Sequence, residues 1–120
     1  MKTDIAIIGA GPAGMLLAHL LAQEGIKAVV LERRDRAYVE ARVRAGVLEQ
    51  VTVDLLRRLG LNARMEREGL VHGGTNLALD GELFHIDLAA LTGGRHVVVY
   101  GQQEVCLLYT SPSPRDRTRS

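Results

Sequence analysis

The sequence predicts an α/β fold: a parallel βαβ unit with an added β-hairpin. Three observations carry that prediction. Asp4–Ile8 is a short, nearly continuous apolar run that meets a glycine-rich turn, Gly9-Ala10-Gly11-Pro12-Ala13-Gly14. Beyond the turn the apolar spacing changes to that of a helix, and a second apolar run follows. Further on, Asp80-Gly81 separates two segments of strand composition. The spacing changes from 2 to 3.6 residues and back mark where one kind of element gives way to the other.

Each element follows from its residues. Asp4-Ile5-Ala6-Ile7-Ile8 reads as a buried parallel strand, since such strands are apolar on both faces. Met15, Leu16, Leu17, Leu20 and Leu21 give the next helix a broad apolar face, and Gly25 stands where a terminating glycine belongs. Ala28-Val29-Val30-Leu31 is the second buried strand, with Glu32 at its end. The turn between strand and helix has the form G-x-G-x-x-G. In a Rossmann-like unit each glycine of that turn has a physical task. Gly9 permits the tight turn, Gly11 lets a pyrophosphate approach the backbone, and Gly14 lets helix pack on strand. Free N–H groups and the positive dipole end of the helix then face the phosphates. Pro12 suits the first helical turn, where its missing N–H is not needed. A carboxylate at Glu32 lies within reach of a ribose, accepts from both its hydroxyls and repels a 2′-phosphate on the same sugar. The motif alone does not separate FAD from NAD, and a glycine turn without any ligand is the plainer alternative.

After Glu32 the chain becomes charged. Arg33, Arg34, Asp35 and Arg36 read either as a solvated loop or as a contact for a nucleotide phosphate. Arg42 and Arg44, two apart in an extended segment, point to one side. They suit a pyrophosphate, or are plain surface arginines. Leu48, Val51, Leu55, Leu56 and Leu59 recur at helical spacing up to Gly60 and predict a core-packing helix. Glu49 and Gln50 are expected to cap it rather than face a ligand. Thr75–Leu79 and Glu82–Ile86 predict a hairpin that pairs Leu77 with Phe84 and Leu79 with Glu82. His85 then lies opposite Asn76. Val97–Tyr100 predicts a strand, and residues 101–105 the start of a helix.

Composition narrows the functions available. Of 120 residues, 47% are hydrophobic and 24% charged, so disorder along the whole chain is not expected. The net charge of +1 gives no basic field for nucleic acid or an anionic membrane. No apolar run approaches the roughly 20 residues of a membrane span. The single cysteine excludes an internal disulfide and fits a reducing, cytoplasmic location. His19, His72, His85 and His96 are scattered and predict no metal. Residues 106–120 differ from the rest. They hold every serine, two of the three prolines and no glycine. This segment reads as a disordered, non-native tail resembling translated sequencing-adapter DNA, with a basic docking tail as the alternative. The expected domain is therefore residues 1–105.

The opening through G-A-G-P-A-G resembles that of the flavoprotein aromatic hydroxylases. Glu32-Arg33, Tyr38-Val39, Arg42-Val43-Arg44-Ala45-Gly46-Val47-Leu48-Glu49-Gln50, Gly69–His72, Ile86-Asp87-Leu88 and Val99-Tyr100-Gly101-Gln102 extend the likeness over residues 1–105. The resemblance implies the N-terminal, incomplete part of an FAD-binding domain. It implies that Gly9, Gly11, Ala13, Gly14 and Glu32 bind FAD. Arg42, Val43, Arg44, Ala45, Gly46, Val47 and Gln102 would also lie along the cofactor. Arg33, Tyr38 and Arg42 resemble residues that meet NADPH, the co-substrate. Ala13 departs from the serine of many relatives, which removes a hydroxyl contact but leaves the neighbouring amides. The implied reaction is hydroxylation of a small phenolic acid, such as 4-hydroxybenzoate to 3,4-dihydroxybenzoate, by a protein expected to be a homodimer. No catalytic residue is expected within this stretch, and the 120-residue chain alone is expected to be inactive. An NAD-dependent dehydrogenase and a non-enzymatic nucleotide-binding fragment are the alternatives.

Overall fold

The computed structural model describes residues 2–42, 45–101 and 104–105, in two compact units. One comprises Met1–Arg44 with Gly101–Ser120, the other Ala45–Tyr100.

The first unit is the βαβ. Strand β1 (Ile5–Ile8), helix α1 (Pro12–Gln23) and strand β2 (Ala28–Leu31) follow in order, and a short helix α2 (Arg36–Ala41) comes after them. β1 and β2 are parallel, with Ile5 opposite Ala28 and Ile8 opposite Leu31. Gly9 N–H extends the ladder by donating to the Leu31 carbonyl at 2.7 Å. α1 begins with Pro12 in its first turn and ends in a Schellman motif. There Gly25, at φ +71°, donates to Ala22 O, and Ile26 donates to Leu21 O. Ile7, Met15 and Val30 form the core, flanked by Ala10, Ala18, Leu21 and Ala28.

The strands depart from the sequence reading in one respect. β1 and β2 are not buried on both faces. Ile7 and Val30 are buried beneath α1, whereas Ile8 is 79% and Leu31 50% exposed. The apolar run demands two covering layers, and among the described residues of this unit α1 covers one face.

The second unit holds β3 (Val47–Glu49), α3 (Gln50–Arg58), α4 (Ala63–Glu68), β4 (Leu70–His72), β5 (Gly74–Leu79), β6 (Glu82–Asp87), α5 (Leu88–Leu91) and β7 (Val97–Val99). β3, β7 and β4 make an antiparallel sheet in that order. Its core is Leu48, Val53, Leu56, Met65 and Val98, all buried. The helix expected from Leu48 starts two residues later. Leu48 pairs with Val98 in the sheet, and Glu49 is extended at φ −77° and ψ 160°. A strand that runs straight into a helix can place its last apolar residue in phase with the helix, which conceals the boundary. Val51, expected on the core face, is exposed. α3 closes at Gly60, whose φ is +72°. The hairpin has the expected register, including Leu77 with Phe84 and Asn76 with His85, and runs on to pair Gly74 with Asp87. Asp80 and Gly81 both have positive φ, as a type I′ turn needs. The last strand stops at Val99, but Tyr100 N–H still donates to Gly46 O at 2.8 Å. In the first unit, Glu104 and Val105 are helical as expected.

Candidate dinucleotide-binding site

The site is built where β1 turns into α1. Gly9 sits at φ +106°, a conformation that side-chain-bearing residues rarely adopt. Gly11 is the extended N-cap and offers no side chain, so the first α1 amides have neither a cap nor a carbonyl one turn earlier. A Cβ on Gly11 would meet nothing within 4 Å, so the backbone there borders open space. A Cβ on Gly14, by contrast, would run into the Gly9 carbonyl and lie 3.2 Å from Ile7 Cγ2. The first two glycines shape and open a cradle, and the third allows close packing. Ala13 is exposed in the first turn, beside Gly14.

Glu32 closes the cradle from the end of β2. Its Oε2 accepts from Ala10 N–H at 2.8 Å, and its Oε1 accepts from Arg34 N–H at 2.9 Å. These two amides, Ala10 first, hold the Glu32 carboxyl below the usual glutamate range, with the Arg33 charge adding a smaller effect. The carboxylate is exposed and keeps lone pairs free for further donors. The open space at Gly11, the uncapped amides and this carboxylate fit the pyrophosphate and ribose of a dinucleotide such as FAD.

Beyond Glu32 the charged run is partly helical. Asp35 caps α2 by accepting from Tyr38 N–H at 2.8 Å. Arg36 is spent on Glu40, at 2.6 Å in an i, i+4 pair. Arg34 lies over the Tyr38 ring at 4.9 Å, and Arg42 reaches the same ring at 6.0 Å. Arg42 Nη1 also donates to the Tyr38 hydroxyl at 3.4 Å. Tyr38 therefore has two guanidinium groups near its ring on an exposed surface. Arg34, read from the sequence only as part of a charged run, lies on the Tyr38 ring, and the i, i+4 spacing of Arg34, Tyr38 and Arg42 is the signal for that contact. Arg33 lies in the loop just before.

Val43, Arg44 and Gln102 lie outside the described residues, as do residues 106–120. Ala45, Gly46 and Val47 fall in the second unit, with Val47 half exposed on β3. In that unit, Glu49 and Gln50 do not cap α3 with their side chains. Glu49 is the N-cap residue but makes no capping hydrogen bond. Gln50 Oε1 accepts from His96 N–H at 3.1 Å, and its Nε2 donates to Asp54 at 2.9 Å, so it ties α3 to the approach to β7. Among the described residues no three His, Cys, Asp or Glu side chains gather at metal-binding distance. No described helix is long and apolar enough to cross a membrane.

Residues 2–109 match the family described as FAD binding domain. The chain is 51% identical over 105 residues to a p-hydroxybenzoate hydroxylase of Acinetobacter baylyi, covering 88% of this chain and 26% of that protein. It thus spans about a quarter of that relative's length. A thiamine thiazole synthase of Pyrobaculum aerophilum is 61% identical, but only over 31 residues, 26% of this chain and 12% of that one. High identity over so short a stretch crosses enzyme classes, whereas the longer match does not rest on one turn. Among solved structures, PqsL of Pseudomonas aeruginosa in complex with 2-aminobenzoylacetate superposes with a TM-score of 0.78 at 25% identity. That match covers 90% of this chain and 30% of PqsL. The glycine cradle, the Glu32 carboxylate and a family match along nearly the whole chain place it in the FAD binding domain family.

Proposed function

We propose that this chain is the FAD-binding portion of an NADPH-dependent monooxygenase. Its substrate would be a phenolic acid such as 4-hydroxybenzoate, hydroxylated to 3,4-dihydroxybenzoate. The observation that carries the reading is the pairing of an open, uncapped glycine cradle with a charged carboxylate at its rim, in a chain half identical to p-hydroxybenzoate hydroxylase.

FAD, when bound, would supply the redox chemistry of hydride acceptance and dioxygen activation. This chain's residues hold and orient. The Ala13 and Gly14 amides and the α1 dipole receive the pyrophosphate. Glu32 accepts from the adenosine ribose. Arg33, together with Arg34 and Arg42 beside Tyr38, offers charge-assisted hydrogen bonds to the NADPH 2′-phosphate, which favours NADPH over NADH. Arg36 contributes little there, because Glu40 already neutralises it. Arg44 and Gln102 are proposed to contact FAD with Val43 and the Ala45–Val47 backbone. A small aromatic substrate, a homodimer and a cytoplasmic setting complete the proposal.

A chimera tests it. Residues 1–105 replace the matching segment of the Acinetobacter baylyi relative, and 4-hydroxybenzoate-stimulated NADPH oxidation is measured. Retained turnover with preference for NADPH is expected. A folded, FAD-loaded chimera that shows no 4-hydroxybenzoate-dependent oxidation of NADPH overturns the reading.

A further inference from the structure

The two hydrogen bonds of Glu32 join segments with different tasks. Ala10 lies in the glycine cradle, 22 positions before Glu32, while Arg34 lies in the loop that carries the guanidinium groups. Both bonds go to backbone amides, and each uses a different carboxylate oxygen. A ribose diol needs a carboxylate; it does not need that carboxylate to be fastened on two sides beforehand. The backbone bonds sit at the end of the β1–β2 ladder, one residue beyond the Gly9–Leu31 bond.

We propose that Glu32 is a positioning residue that fastens the glycine cradle to the arginine-bearing loop, so that one carboxylate sets the geometry of both before any cofactor arrives. Its consequence for the two cofactors rests on the function proposed above, but the fastening itself does not. Both bonds are charge-assisted only while the carboxyl is ionised. They are at full strength above the ordinary glutamate pKa of 4.5 and weaken together as pH falls through the lowered value in the folded chain. Among the described residues the charge acting on this carboxyl is that of Arg33 on its own segment. The facing cradle, residues 9–14, carries no titratable side chain.

Amide hydrogen exchange on the ligand-free 120-residue chain tests this. In Glu32→Ala, protection at Ala10 and Arg34 falls together by roughly tenfold, as expected when a charge-assisted bond to each amide is removed. The Ile26 amide, bonded to Leu21 at the far end of α1, keeps its protection. Unchanged protection at either Ala10 or Arg34 overturns the proposal. Should Ile26 also lose protection, the variant has unfolded and the unmutated chain decides. On acidification its Ala10 and Arg34 amides then lose protection with one midpoint below 4.5, and two separate midpoints contradict the fastening. Because no FAD or NADPH is present, a failure here leaves the cofactor assignment untouched, and a failed cofactor titration leaves the fastening untouched.

Discussion

Replacing each of two glycines by alanine separates folding from binding at the cradle. At Gly14 the added Cβ meets the carbonyl of Gly9, a residue held in place by its own N–H donating to Leu31 O, and presses on Ile7 in the core at 3.2 Å. Neither neighbour yields without moving the β1–α1 junction. Overpacking of that kind costs typically 1–3 kcal/mol, and the better helix propensity of alanine returns about 1 kcal/mol. A net loss of up to about 2 kcal/mol is expected, which can be a large part of the stability of a small unit. At Gly11 the φ is an ordinary −77° and the Cβ meets nothing. Gly11→Ala should change stability by less than about 1 kcal/mol, because the gain through the unfolded chain is offset by the poorer N-cap preference of alanine. Yet it places a methyl where the pyrophosphate must approach. Urea unfolding of both variants, with FAD titration by flavin fluorescence, reads the two effects. Gly14→Ala should lower the unfolding midpoint, and Gly11→Ala should lower only the FAD affinity, by tenfold or more. A Gly11→Ala chain that binds FAD as tightly as the original would refute the reasoning.

Further outcomes follow from other contacts. Glu66 is paired with Arg57 at 2.6 Å, which holds its carboxyl below the usual range. The stabilisation is present above pH 4.5 and disappears as pH falls through the lowered value, so Glu66→Gln should be less stable than the original at pH 7 and equal to it in acid; a difference that persists in acid would count against the pair. In the chimera, Arg34→Ala should raise the KM for NADPH severalfold with little effect on NADH; equal effects on the two would remove Arg34 from the site. On the hairpin, Leu77, Leu79, Leu83 and Phe84 are between 47% and 72% exposed. The chain should therefore associate as its concentration rises, which sedimentation velocity reads. Leu79→Lys, opposite Glu82, should reduce that association by adding an opposite-charge cross-strand pair.

What the sequence shows directly is what local spacing determines. The βαβ unit and the hairpin register were legible because Gly9, Gly25 and Asp80-Gly81 each need a backbone geometry that few other residues supply. The start of α3 was not legible, because Leu48 keeps helical phase while its backbone pairs with Val98. β4 and α4 were missed, since Leu70-Val71-His72 is too short to show a period and becomes a strand only by pairing with β7. In the site, the cradle and Glu32 could be read from type and spacing. The Ala10–Glu32 bond could not, because it joins a backbone amide to a side chain across 22 positions. The Arg34–Tyr38–Arg42 stack was half visible: the basic run showed, but not that Arg36 is taken up by Glu40 while Arg34 turns onto the ring.

The central claim is that the glycine cradle of this chain takes FAD. Titration of the purified 120-residue chain with FAD and, separately, with NAD tests it most directly, by flavin fluorescence and calorimetry. The account predicts saturable binding of one FAD per chain, with NAD neither binding nor competing. Binding of NAD but not FAD, or of neither by a chain shown to be folded by circular dichroism, would contradict it.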